Sequence, residues 1–323
     1  METTADSLGY MRHVLTAVAL AAAAAILLVA LPASGRPVRG APKCRVLPAS
    51  NHWNLRVDKL PVLPNSDAMI EGIGAGDTLH PDFGSGTYEG RPIGIPFTTV
   101  SKRQKRVKVS FDYADESDPG PYPIPRNAPI EGGADSDGDR HVIVVDRDRC
   151  VLYELYDAHP QDGGASWRAG SGAIFNLRSN RVRPAGWTSA DAAGLPILPG
   201  LARYEEVKAG KIDHALRFTV ARTRRAYIYP ARHFASSATD PDLPAMGQRL
   251  RLKASFDTSG YPRQARVVLN ALKRYGMILA DNGSDWFISG APSKGWDNDE
   301  LNALKGVEGS NFEVVDSARL PRP

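Results

Sequence analysis

Prolines and glycines, 25 and 30 of them in 323 residues, break this chain too often for a helical bundle to form. What they separate are short runs with a period of two. Val107, Val109, Phe111 and Tyr113 alternate with Lys108, Ser110 and Asp112, and Leu250, Leu252, Ala254 and Phe256 alternate in the same way. That spacing puts apolar side chains on one face of a half-buried strand. Further strands are expected at 215–220 and 226–229. His141 to Asp146 and Val151 to Tyr156 flank the polar tetrad 147–150 and read as a hairpin. Met277 to Ala280 and Trp286 to Ser289 flank Asp281-Asn282-Gly283, where Asn-Gly marks a tight turn.

Helices are few. Pro262 suits the first turn of a helix running to Tyr275, with Gly276 as its stop. Asp297 and Glu300 have capping-box spacing ahead of Leu301 and Leu304, and a short helix is expected over 203–208. Five prolines between Asp118 and Pro129 force an extended path, read as a stiff surface loop. These elements predict a mainly β fold: an antiparallel β-sandwich or jelly-roll-like single domain over 36–323, with two or three peripheral α-helices.

Leu15 to Leu31 is an unbroken apolar run of seventeen residues, preceded by Arg12 and His13 and followed by Pro32 and the small residues Ala33, Ser34 and Gly35. This is the pattern of a signal peptide or an N-terminal signal anchor over 1–35. Arg36, Arg39, Lys43 and Arg45 lie beyond the run and disfavour an anchor with an exported C-terminus. A start at Met11 gives the cleaner signal peptide. The expected location is therefore extracytoplasmic, with membrane contact only through residues 15–31.

The hydrophobic and charged fractions, 42% and 24%, are ordinary for a globular protein. A charge of +4 and basic runs at 102–106 and 222–225 without interleaved aromatics exclude nucleic acid as the expected partner. The two cysteines, Cys44 and Cys150, are an even count in an exported chain and suggest one disulfide. It would close a long loop, worth roughly 4–5 kcal/mol in the chain-entropy model.

The segments LHPDFGSG (79–86), DESDPGPYPIP (115–125), APIEGG (128–133), GWTSADAAGLPILPGL (186–201), HALRFTV (214–220) and ADNGSDWFISG (280–290) resemble a widespread family of secreted bacterial proteins without an established activity. The resemblance covers most of the mature chain and implies an exported single-domain protein. It transfers no catalytic residues. No G-x-x-x-x-G-K-S/T motif is present, which excludes a P-loop.

Candidate chemistry comes from the hairpin register. A four-residue turn at 147–150 pairs Asp146 with Val151 and Ile143 with Glu154, which sets Glu154 and His141 on one sheet face as diagonal neighbours. Asp139 precedes that pair, Asp191 lies on a Gly/Pro-rich loop, and His214 shares strand parity with Leu216 and Phe218. A carboxylate and an imidazole on rigid strands suit general acid/base work. The candidate site is thus Asp139, His141, Glu154, Asp191 and His214, with Glu154 as acid or base, His141 as its proton-transfer partner and Asp191 as second carboxylate. In LHPDFG, His80 and Asp82 suggest a carboxylate orienting an imidazole. Asp135 to Asp139 resembles a calcium loop, but Arg140 stands where an EF-hand needs Gly. No H-x-x-x-H pattern exists, so a metal-free and cofactor-free site is expected. Trp53, Trp167, Trp187, Trp286 and Trp296, with Tyr122, Tyr227 and Tyr229, offer faces for sugar stacking. The expectation is a polysaccharide-active hydrolase or lyase, or else a non-catalytic binder of carbohydrate or cell-envelope glycan.

Overall fold

The computed structural model describes residues 35–323, which fall in a single compact unit. The apolar run, its cleavage site and the alternative start lie outside the described residues. No helix among the described residues is long and apolar enough to cross a membrane.

The fold is mainly β. In chain order the strands are β1 (His80–Asp82), β2 (Thr87–Tyr88), β3 (Arg91–Pro92), β4 (Phe97–Val100), β5 (Val109–Phe111), β6 (Val142–Asp146), β7 (Val151–Tyr156), β8 (His159–Gln161), β9 (Ser166–Ala169), β10 (Ser171–Asn176), β11 (Leu216–Val220), β12 (Arg249–Leu252), β13 (Met277–Asn282), β14 (Phe287–Ser289) and β15 (Phe312–Val314). Four α-helices accompany them among the described residues: α1 (Ser66–Ile73), α2 (Tyr204–Lys208), α3 (Arg263–Arg274) and α4 (Asn298–Asn302). The sequence marked the last three and missed α1.

Among the described residues four sheets form, a two-stranded β2-β3 hairpin and three larger sheets that make the layers. One has six strands in the order β1-β14-β11-β13-β12-β15, the second has β10-β7-β6-β4, and the third has β5-β9-β8. The middle layer explains why β6, Val-Ile-Val-Val-Asp, does not alternate in burial. Ile143, Val145, Leu152 and Phe175 join the large core shared with the six-stranded sheet. Val142, Val144, Tyr153 and Leu155 join a second core with Trp167 and Ala169 of β9 and with Tyr122 and Ile124. A strand covered on both faces reads as a continuous apolar run. The proline-rich stretch is therefore not only a surface loop, since it supplies Tyr122 and Ile124 to that second core.

The β6–β7 register is the one the turn spacing predicts, with Ile143 opposite Glu154 and Asp146 opposite Val151. Most of the strand pairs are antiparallel, while β1–β14, β11–β13, β4–β6 and β5–β9 run parallel. The Asn-Gly hairpin is a correction. β13 and β14 do not pair with each other, because β11 lies between them and bonds to both. Gly283 N–H instead reaches Val220 O at 3.0 Å, so the turn wraps the end of β11. The strand expected at 226–229 is also absent, and only a single bridge joins Tyr227 to Met246.

Local signals hold for the helices. Gly276 takes φ +65° after α3, and a Cβ there would lie 2.0 Å from Leu250 O, so glycine is required. Asp297 caps α4 by accepting from Asp299 and Glu300 N–H, but Glu300 accepts from Gln264 N–H and caps α3 instead of completing its own box. Cys44 and Cys150 form the disulfide, fixing residue 44 to the β6–β7 turn inside the large core.

Candidate functional site

His141 immediately precedes β6 and shares parity with Ile143 and Val145, so it points toward the large core and is buried. Its Nδ1 lies 2.5 Å from Glu131 Oε2 and its Nε2 lies 3.0 Å from Ala190 O. Both ring nitrogens face acceptors, which is the geometry of an imidazolium. Burial works against that charge, but the Glu131 carboxylate more than offsets it and His141 is raised to about 9. Glu131 is correspondingly lowered, its burial outweighed by His141.

Glu154, opposite Ile143 on β7, is fully buried. It accepts from Ile197 N–H at 2.9 Å and from Leu198 N–H at 2.9 Å. Burial pushes it up, the two amides pull it back, and the Asp191 charge adds to the rise, leaving it at about 7.

Arg217 on β11 organises the neighbouring carboxylates. Its Nε and Nη2 donate to the two oxygens of Asp191 at 2.9 and 2.8 Å, its Nη1 donates to Ser289 Oγ on β14 at 2.8 Å, and Nη2 also approaches Asp281 on β13 at 3.3 Å. The parallel β11–β13 pairing and the adjacent β14 bring these groups together. Asp281 is raised well above the ordinary carboxylate range by burial, by the charge of Asp191 and by a hydrogen bond with it, against the opposing pull of Arg217. Burial and the neighbouring Asp191 charge therefore favour the protonated form of Asp281.

Two cavities border this cluster. One, of about 410 Å³, is lined by Tyr113, Asp139, Tyr156, Asp191 and Asp281. The other, of about 730 Å³, is lined by His80, Asp82, Tyr88, Glu131 and Asp139. Asp139, an exposed carboxylate, belongs to both. The exposed large aromatics among the described residues are Tyr88 and Tyr113, 71% and 56% accessible, and each borders one of these cavities.

Four of the five candidate residues are thus brought together, but in different positions. Asp139 and Asp191 line the first cavity, whereas His141 and Glu154 sit behind it with their polar atoms engaged. His214 joins a separate cluster, with Nε2 at 3.1 Å from Glu206 Oε2 and Nδ1 on Ala215 O. His80 stacks on Phe287 at 4.0 Å and makes no hydrogen bond to Asp82. Asp82 is raised, first by burial and then by the Glu131 charge. Trp53, Trp167, Trp286, Trp296 and Tyr122 are core residues, so they offer no face to a sugar.

Sequence reasoning missed Arg217, Asp281 and Glu131. A faint signal existed for the first two: Arg217 is a charge set in the strand LRFTV, buried throughout, and Asp281 directly follows the buried run MILA.

Donor atoms of Glu131, Asp139 and His141 lie within 4.8 Å of one another. A divalent cation would use His141 Nδ1 in place of the shared proton, with Nε2–H held by Ala190 O as an outer-shell partner. The calcium-loop resemblance has a different outcome: the carbonyls of Ala134 and Ser136 accept from the Arg140 guanidinium at 2.9 and 2.7 Å, so an arginine occupies the loop. Comparison with protein-family models, curated proteins and solved structures returns no match to this chain.

Proposed function

We propose that this protein is an exported polysaccharide-active hydrolase or lyase, with Asp281 as proton donor and Asp139 as proton acceptor. The observation that supports it is a carboxylate raised well above its ordinary range and an exposed one on the wall of a single cavity bordered by an exposed tyrosine. Glycosidic cleavage uses one carboxyl group as acid and another as base or nucleophile. Asp281 would protonate the leaving oxygen, and Asp139 would take the proton from water or from the sugar ring. Arg217 and Asp191 position Asp281, while Glu154 and His141 fix the surrounding backbone. The Cys44–Cys150 bond fits an oxidising compartment.

The test is incubation of the purified protein with a panel of bacterial and plant polysaccharides, with products read by mass spectrometry. Defined oligosaccharides, lost in Asp281→Asn and Asp139→Asn, are the expected result. Activity should fall as pH rises through the raised pKa of Asp281, since the donor must hold its proton. A glycan-binding module is the second reading, favoured by the exposure of Tyr88 and Tyr113. Retention on a polymer without products, weakened by Tyr113→Ala, would select it.

A further inference from the structure

One end of the β10-β7-β6-β4 sheet gathers positive charge from three segments distant in sequence. β4 runs parallel to β6 with Val100 opposite Asp146, so the loop after β4 meets the β6–β7 turn. There Lys102 N–H donates to Asp148 Oδ2 at 2.8 Å and Arg147 N–H to Val100 O at 2.9 Å. On the other side of the turn, Val151 pairs with Asn176 of β10, and Arg178 Nη1 reaches Arg149 O at 3.4 Å.

Seven cations stand on this end: four in 102–106, Arg147 and Arg149 in the turn, and Arg178 after β10, all exposed. The carboxylates beside them are Asp146 and Asp148, whereas the entire chain carries only +4. Both are engaged by the turn itself. Asp146 is buried and accepts from Asp148 and Arg149 N–H and from the Arg149 guanidinium, while Asp148 accepts from Lys102 N–H. Among the described residues no carboxylate pairs with Lys102, Arg103, Lys105 or Arg147. Charge of one sign concentrated in this way draws anions to the surface.

The shape of the face says which anion fits. Neighbouring strands lie about 4.8 Å apart, so four strand ends make a face about 14 Å wide, enough for several anionic groups. No aromatic occurs in 101–106, 147–150 or 177–181, so the face cannot stack on bases. The exposed large hydrophobics among the described residues, Val62, Tyr88 and Tyr113, are elsewhere, so it has nothing to insert into a membrane.

We propose that this face binds an acidic polysaccharide, whose repeated carboxylate or sulfate groups lie across the strand ends. The proposal deepens the cleavage reading by naming its substrate as acidic, and it rests on that reading for the choice of a glycan. β7 runs from Val151 at this face to Tyr156 on the first cavity, about 17 Å that a polymer spans and a monosaccharide does not.

Affinity electrophoresis of the purified protein through polygalacturonate, dextran sulfate and neutral dextran tests it. Retention by an acidic polymer and not by dextran is expected, weakening about tenfold between about 0.05 and 0.5 M salt. The two acidic polymers separate carboxylate from sulfate recognition. Arg103→Glu combined with Arg147→Glu should weaken retention about tenfold. The same charge change at Lys59 and Lys208, exposed residues on segments bonded to α3, should weaken it about twofold or less. Equal losses in the two double variants would show an effect of net charge alone and overturn the proposal. So would equal retention by dextran, no retention at all, or tighter binding of duplex DNA or of anionic lipid vesicles. Retention lost in the Arg103/Arg147 variant without any polymer being cleaved would keep this face and remove the cleavage reading. Cleavage with retention unchanged in that variant would do the reverse.

Discussion

Two buried arginines teach the main lesson of this molecule, because they are built alike and end differently. Arg203 pairs with Glu206, which also meets His214, and all three are at most 1% exposed. Glu206 is lowered, its burial outweighed by the charges of Arg203 and His214. None of the three lines a cavity that meets at Asp139. Arg217 faces Asp191 and Asp281 together and feels Glu131 as well. Glu131 has His141 as its own partner, so Arg217 is shared between Asp191 and Asp281, and burial beside the Asp191 charge raises Asp281 on the wall of a cavity. The first cluster is closed off from that cavity, and the second sets a raised carboxylate on its wall.

The comparison can be broken by substitution. Asp281→Asn should lower turnover by about 10²–10⁴-fold, the usual worth of a general acid, while a denaturant melt shows little change because the amide can still donate to Asp191. A comparable loss of stability would mean that Asp281 braces the fold as Glu206 does. Arg203→Met should cost about 3–5 kcal/mol by leaving a buried charge poorly compensated, with turnover per folded molecule retained. Reduced turnover in a stable Arg203→Met protein would put the brace in the site.

Glu154 sharpens the contrast through pH. Its folded value of about 7 lies above its ordinary 4.5, so its contribution to stability is complete below about 4.5 and is lost as pH rises through about 7. Glu154→Gln should flatten that segment of the pH–stability curve, with an effect on the order of 1–3 kcal/mol, and should leave turnover largely intact because Glu154 does not line either cavity. Urea midpoints collected from pH 4 to about 9 would show it. His141, raised to about 9, acts in the same direction at higher pH: its contribution is complete below about 6.5 and fades through about 9. The smallest effect is expected at the rim. Tyr113→Ala should weaken glycan binding by about 0.5–1.5 kcal/mol with folding stability within about 0.5 kcal/mol, as read by affinity electrophoresis and a thermal melt.

Much of the scaffold was legible from local rules. The β6–β7 register followed from a four-residue turn, α3 from Pro262 and Gly276, and the disulfide from an even cysteine count. Part of the site followed too, since the register set His141 and Glu154 on one face. Their roles were not legible. Period and turn spacing say which way a side chain points, not whether Ala190 O or Ile197 N–H will meet it there. His214 illustrates the limit: its inward parity was read correctly, but its neighbours are Glu206 and Ala215 rather than the other candidates.

By itself, the sequence determined the mainly β class, the central hairpin and the ends of the main helix, because each depends on backbone preferences within a few residues. Only the tertiary structure decided that β11 enters between β13 and β14, and so carries Arg217 to Asp281 and Ser289. It also decided which carboxylate is raised. That outcome depends on burial and on charges from segments as far apart as residues 131, 191, 217 and 281, and no local pattern reports such a sum.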